Sequence, residues 1–456
     1  MVEHEHAMTE TARVSEKFDA SPTKGFFIDM ITKDITTLDC ILDLIDNSLD
    51  SYIRQTHMDV NDYLWHGKSR ASGSSVEVSI RIDEEDGFTI LDNCGGIDWE
   101  DALKSVFRLG SPEPELGVAG LGVYGIGMKR AFFKMGNTVK VVSRSDDGEW
   151  ELVIPSVEEW KGTQDWSFPA SYSGPHRKES PLSSPGTYIS IRAFREGVRD
   201  QIALTAFESD LKERIGKTYA LFIRAGVKIR VNGDVIKSVM PEVGFTNVIT
   251  PFRRRLKRGR VDILVISGIV ATEDVSASDA GWYVFCNGRL VLYADKSQRT
   301  GWGVEFADFH SKYNTFIGYL CFKSTSPAEL PWTTTKQDIV SDSVVYQEGY
   351  NEIVSQTPRV LGFLNKAYEE KNESDVALAR ELRDSAKPVE LAKLPQKEMT
   401  FNVETNSKQR PENVHIEYSA RLKDVERIRE RLGRPSISAR KIGKMTFEYY
   451  LEKECD

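Results

Sequence analysis

Between Lys33 and Arg54 the chain has no lysine or arginine, yet it sets Asp39, Asp43, Asp46, Asn47 and Asp50 among apolar residues. Leu38, Ile41, Leu42, Ile45, Leu49 and Tyr52 recur at steps of three and four, which predicts an amphipathic helix starting near Thr36. Its acids crowd one sector. Asp39/Asp43 and Asp46/Asp50 are like-charge i,i+4 pairs, each costing a helix about 0.2–0.5 kcal/mol. A helix that only had to fold would intersperse lysines. A divalent cation with its phosphate ligand would complete such a face. Asp43 and Asn47, also i,i+4, would then point at one spot: a carboxylate able to take a proton from water beside an amide oxygen able to bind Mg²⁺. An acidic solvated face is the plainer alternative, and the helix alone does not decide between them.

Three further elements follow in order. Val76, Val78, Ile80 and Ile82 alternate with polar residues, and DEEDG leads into FTILDN, which predicts a β-hairpin ending at Asp92. Asn93, Cys94, Gly95, Gly96 and Ile97 come next, so a carboxylate stands at a sheet edge beside backbone almost bare of side chains. Such a site can accept a hydrogen bond from an amino group while a flat ring lies on the glycines. Residues 110–127 then hold six of the 33 glycines, and GLGVYGIGMKRA (120–131) closes that stretch at the start of a predicted helix. Free N–H groups and the helix dipole favour phosphate there. Gly186-Thr187 opens a strand. Each of these taken singly is a turn, a surface loop or a strand start.

At roughly 150 residues per domain, 456 residues suggest about three units. Strand-like runs at 139–143, 149–154 and 187–192 make the first 195 or so residues a helix-plus-antiparallel-sheet unit. A second unit holds a helical pattern at 204–225, a tight turn at Val231, Asn232 and Gly233, and the hairpin WYVFC–Asn287-Gly288-Arg289–LVLYAD, whose Asn-Gly suits a type I′ turn. From about Glu369 the chain is rich in charge, with Pro388 and Pro395 interrupting it. A net charge of −9 excludes a global basic field. Five scattered cysteines without a CxxC pair fit a reducing cytosol and argue against a structural zinc site. The N-terminus lacks a signal-peptide pattern and no apolar run approaches about 18 residues, so a cytoplasmic protein without a membrane segment is expected.

A helix with carboxylate and Asn, an Asp-x-x-x-Gly 45 residues after Asn47, a glycine lid and a Gly-Thr strand, in that order, resembles the GHKL ATPase superfamily. That group includes gyrase B subunits, MutL, the ninety-kilodalton heat-shock chaperones, histidine kinases and the MORC ATPases. YGIGMK and TKQDI look most like MORC-type ATPases and their bacterial relatives, and the resemblance covers residues 25–339. It implies an α+β chain with a Bergerat-type α/β sandwich binding ATP (25–197) and a transducer-like α/β domain (198–368); the polar residues 1–24 are expected to form a mobile arm and the charged residues 369–456 a partly helical or extended appendage.

The resemblance also implies roles. Asp43 matches the general base, Asn47 the Mg²⁺ ligand and Asp92 the acceptor for the adenine amine. Asp50, Gly96, Ile97 and Thr187 fall around the nucleotide, and Gly120, Gly122, Gly125, Ile126, Gly127 and Lys129 around its phosphates. Lys336, in PWTTTKQD (331–338), matches a transducer lysine that reaches the γ-phosphate. Two positions depart from the pattern. The base is usually Glu, so Asp43 is one methylene short and hydrolysis is expected to be slow or to use a bridging water. Cys94 replaces the first glycine of Asp-x-Gly-x-Gly, where a small apolar residue can pack.

The implied activity is that of an ATP-driven homodimeric clamp acting on DNA in genome defence or repair. A non-catalytic nucleotide-gated module is the alternative that Asp43 raises. A histidine-kinase-like phosphotransferase would need an acceptor His on a helix ahead of the domain, and His4 and His6 lie in a polar arm. Arg253, Arg254, Arg255, Lys257, Arg258 and Arg260 place six charges in eight residues, which suits a DNA or RNA backbone, a solvated loop or an acidic protein partner.

Overall fold

The apolar rows of the acid-laden helix are buried as their spacing requires: Ile41, Leu42, Ile45 and Leu49 are covered along α2 (Thr37–Thr56). It follows α1 (Lys24–Thr32), which Thr23 caps by accepting the N–H of Phe26. The acidic face is buried too, with Asp43 4 %, Asp46 1 % and Asp50 9 % exposed. The computed structural model describes residues 22–56, 60–67, 76–108, 110, 119–122, 125–174, 179–270, 276–373, 385–403, 416 and 419–455, and every absence stated below is among these described residues. Most of the expected mobile arm, residues 1–21, and Val123 and Tyr124 of the glycine lid lie outside them.

After α3 (Asn61–His66) the chain enters a mixed eight-stranded sheet. Its strands are β1 (Glu77–Asp83), β2 (Gly87–Asp92), β3 (Gly136–Ser145), β4 (Gly148–Ile154), β5 (Ala170–Gly174), β6 (Gly186–Phe194), β7 (Lys228–Val231) and β8 (Asp234–Val235). They lie in the order β5-β4-β3-β6-β2-β1-β7-β8. The predicted hairpin forms with Asp83 opposite Gly87 and Val78 opposite Asp92. α4 (Trp99–Asp101), continued by a π-helical turn over Ala102–Val106, enters the glycine-rich stretch, and α5 (Gly127–Met135) leaves it to pack on α2. α6 (Val157–Lys161) and α7 (Glu196–Ile202) follow β4 and β6.

The Asn232-Gly233 turn takes positive φ at both residues, 49° and 92°, as a type I′ turn requires. Its strands extend the first sheet, because Lys228–Val231 pairs parallel to Glu77–Ile80. The first sheet therefore draws strands from both sides of residue 197. The helical pattern at 204–225 breaks into α8 (Phe207–Thr218) and α9 (Ala220–Arg224) at Tyr219, which takes φ −107° and ψ 23°. The tyrosine hydroxyl is turned onto α2, donating to the carbonyl of Leu42 and to Asp46.

Beyond β9 (Val243–Phe245) and β10 (Ile249–Thr250), five strands form a second sheet: β11 (Phe252–Arg258), β12 (Val261–Ile269), β13 (Gly281–Cys286), β14 (Arg289–Asp295) and β15 (Phe316–Lys323), ordered β11-β12-β15-β13-β14. The Asn-Gly hairpin joins β13 to β14, with φ 45° at Asn287 and 81° at Gly288. α10 (Val344–Glu373) follows, and β16 (Lys387–Val389) and β17 (Asn402–Val403) return to pair with β9 and β10. By internal contacts the chain divides into one unit of Met1–Asn365 with Leu382–Glu404 and another of Lys366–Glu381 with Thr405–Asp456. The latter holds α11 (Leu422–Leu432) and α12 (Ala439–Glu454). No described helix is long and apolar enough to cross a membrane.

Candidate nucleotide site

The end of β2 sets the first wall. Asp92 Oδ1 accepts the N–H groups of Cys94 and Thr187 at 2.9 and 3.1 Å, and Oδ2 accepts the Ser48 hydroxyl at 2.7 Å. Burial raises its carboxyl pKa, and these three donors pull the other way. The carboxyl group is thus held by α2, the loop after β2 and the start of β6 together. Gly96 has φ 78°, and a Cβ there would lie 2.0 Å from the carbonyl oxygen of Arg144, so only glycine fits. Ile97 donates its N–H to Ser143 Oγ at 2.8 Å and accepts the Trp150 indole N–H at 2.7 Å, while Ser143 Oγ lies 3.0 Å from Thr187 Oγ1. This stitching fixes the floor. Cys94 is buried at the first-glycine position. Behind the floor lies a cavity of about 470 Å³, lined among others by Trp99, Phe107, Trp150, Trp166 and Phe168.

α2 supplies the second wall. Asp43 is clamped by Arg130 of α5, whose Nη2 donates to Oδ2 at 2.6 Å. Burial pushes the Asp43 carboxyl above its ordinary range, against the pull of Lys336 and Arg130. The Asn47 amide makes no hydrogen bond among the described residues, and its Nδ2 is buried. Asn47 is half-buried, and a side chain with no hydrogen bond, one turn from a carboxylate, leaves its Oδ1 available to a ligand. Asp50 accepts the N–H groups of Leu121 and, at 2.6 Å, Gly122, so it ties down the near end of the lid. Burial raises its pKa as well.

The lid elements close the third side. Gly120 offers its carbonyl to Asn287 Nδ2 at 2.8 Å, a contact from the Asn-Gly turn. Gly125 has φ 61°, and Ile126 precedes Gly127 at the N-terminus of α5. A Cβ at Gly127 would come within 3.2 Å of the Asp43 carboxyl, so glycine here brings the free helix N–H groups close to that acid. Lys129 is 1 % exposed, with its ammonium on the carbonyls of Val106 and Gly125, and burial lowers its pKa to about 8.

Lys336 reaches the same helix from far along the chain. Its Nζ lies 2.7 Å from Asp46 Oδ2, and its backbone takes φ 56°. Asp46 also receives Tyr219 Oη at 2.7 Å and Arg289 Nε at 3.0 Å, and Arg289 Nη1 holds the Lys336 carbonyl at 2.8 Å. Burial alone would raise the Asp46 pKa, but Arg289, Lys336 and Tyr219 bring it below the ordinary value. Sequence reasoning had not assigned Asp46, Arg130, Arg289, Tyr219 or Ser48 to the site. One signal existed for Arg289: a charge directly after a tight turn, heading the apolar run LVLYA.

The basic run lies away from these residues, on β11 and its turn. Arg253 is 1 % exposed and donates to Gln396, as does Arg255, which also holds the Trp65 carbonyl. Arg254 pairs with Glu352, Lys257 with Asp262 at 3.7 Å, and Arg260 with Glu329. Of the six, only Arg258 has no polar partner among the described residues.

Residues 35–174 match the family model described as histidine kinase-, DNA gyrase B- and HSP90-like ATPase. The matched segment carries α2, the Asp92 strand end, the glycine stretch and α5, and ends before Gly186 and Lys336. No curated protein matches the chain.

Proposed function

We propose, on the premise that residues 35–174 are a GHKL-type ATPase domain, that the chain hydrolyses ATP with Mg²⁺ and works as a nucleotide-operated homodimeric clamp of the MORC or MutL kind. The observation that carries the clamp is Lys336: a lysine 290 residues from Asp46 in sequence lies on the helix that bears Asp43 and Asn47. The donor set suits the metal. No cluster of three His, Cys, Asp or Glu is present among the described residues, whereas Mg²⁺ binds through few protein oxygens plus phosphates and water, and the Asn47 Oδ1 carries no hydrogen bond among the described residues. Bound there, Mg²⁺ would neutralise phosphate charge and orient the phosphates. Asp43 accepts the proton of the attacking water, Asp92 reads the adenine amine, and the N–H groups at the start of α5 face the phosphates.

Lys336 is the sensor in this reading. A γ-phosphate competes with Asp46 for its ammonium, and ADP has nothing to offer it. Light scattering should show dimer growth with a non-hydrolysable ATP analogue and little with ADP, and Lys336→Ala should bind nucleotide almost normally yet turn over slowly. A dimer equally tight with ATP, ADP or neither would rule out the clamp while leaving the ATP site standing.

The adenine assignment has its own check. Asp92→Asn puts an N–H₂ group among three donors, so ATP affinity by calorimetry should fall at least about tenfold, and wild type should prefer ATP to GTP, whose carbonyl would face the carboxylate. Unchanged affinity in Asp92→Asn would move the site elsewhere. A DNA or RNA substrate is the least supported part of the proposal, because five of the six basic residues are engaged within the chain. Retention of DNA at low salt, weakened by Arg254→Ser and Arg258→Ser together, would support it; no retention at low salt retires it.

A further inference from the structure

Asp43 is held through one oxygen only. Arg130 Nη2 takes Oδ2 at 2.6 Å, and Oδ1 accepts no hydrogen bond among the described residues. A guanidinium can grip a carboxylate with two parallel bonds, and here it does not. Its Nε is buried and without a partner, so the group is not placed to satisfy its own donors. Both side chains are under 8 % exposed, and the pair joins α2 to the first turns of α5, where Gly127 packs on the same acid. A buried tie between two helices would be served as well by the two-bond geometry, which would consume Oδ1. The one-bond geometry leaves Oδ1 open and fixes its direction.

We propose that Arg130 is a positioning residue for ATP hydrolysis: by clamping Oδ2 it sets the rotation of the short Asp43 side chain so that Oδ1 faces the attacking water. The inference rests on the reading of Asp43 as the general base. In the step it serves, the water oxygen bonds to the γ-phosphorus as the bond from that phosphorus to the bridging oxygen breaks, the water proton passes to Asp43 Oδ1, and ADP leaves with the bridging electrons. Arg130 neither gives nor takes a proton.

The test is a double-mutant cycle on the full chain, with steady-state kinetics and calorimetric ATP affinity as separate readouts. Arg130→Met, close in length and uncharged, should lower kcat about 10- to 100-fold with KM and ATP affinity within about threefold, since misdirection of a reacting group costs rate and not binding. Arg130→Lys should recover part of the loss. In an Asp43→Asn background, Arg130→Met should cost nothing further, because there is no base left to aim. Equal losses in both backgrounds overturn the proposal and leave a merely structural ion pair. Reduced ATP affinity with unchanged kcat also overturns it, making the guanidinium a phosphate contact. Should Arg130→Met not fold, as read by circular dichroism, Arg130→Gln and Arg130→Lys complete the same cycle. If Asp43→Asn keeps wild-type turnover, the base reading fails and takes the inference with it; if Asp43→Asn is inactive while Arg130→Met turns over normally, the inference fails alone.

Discussion

Asp43→Asn is expected to lower turnover at saturating ATP by about 10²–10⁴-fold while ATP affinity changes little. The substitution keeps the volume and an acceptor for Arg130, so the wall of α2 should persist, but an amide cannot take the proton of water. Asp43 is suited to the task by its surroundings. Burial raises its pKa, and the positive charges of Lys336 and Arg130 act against that rise. Asp43→Glu restores the length common in the family and should turn over at least as fast as wild type, unless the extra methylene breaks the Arg130 contact. Turnover by Asp43→Asn close to wild type in a phosphate-release assay would refute the base. No turnover in wild type, with tight nucleotide binding, would instead favour a nucleotide-gated module, the reading that the engaged Asp43 carboxylate also permits.

Asp46→Ala should be strongly destabilising. It removes the shared counter-ion of Arg289 and Lys336, both buried, and leaves the Tyr219 hydroxyl with the Leu42 carbonyl alone. Breaking a buried pair from one side costs about 3–5 kcal/mol, because the surviving charge has no water to return to. Urea unfolding should show the midpoint fall without a matching change of slope. Asp46→Asn keeps an acceptor and should lose less. The double change Asp46→Ala with Lys336→Met should recover part of the loss, since one stranded charge goes with the lysine. A midpoint within experimental error of wild type for Asp46→Ala would mean that the cluster is solvated in solution.

Local pattern made much of the frame legible. Apolar steps of three and four gave the span of α2, alternation gave the β1–β2 hairpin, and Asn-Gly marked both tight turns, because each depends on neighbours within a few residues. Asp43, Asn47 and Asp92 could be chosen because their chemistry is unusual for their positions. The partners of those residues could not. Arg130 is 87 residues from Asp43, and Arg289 is 243 from Asp46. No periodicity reports which cation a buried acid will meet. The same limit hid the parallel pairing of β7 with β1 and the break at Tyr219, where the hydroxyl bonds to another helix. The basic run is exposed at Arg254, Lys257, Arg258 and Arg260 but not throughout. Charge density reads as exposed surface, yet Arg253 and Arg255 are two apart on β11, so they share a face and both meet Gln396.

The cluster around Asp46 also bears on the order in which a ribosome delivers this chain. Asp46 emerges early, but Tyr219, Arg289 and Lys336 follow long afterwards, and β7 is needed to cover β1. Until residue 336 is out, the nascent helix carries one acid, Asp46, that the folded protein buries against cations not all yet made. The contacts around Asp46 are therefore completed late in synthesis, and a chain ending near residue 197 keeps the Asp43–Arg130 pair but leaves Asp46 without its counter-charges. Chains stalled on the ribosome before and after residue 336 should differ in protease resistance across residues 37–56, with protection gained only by the longer ones.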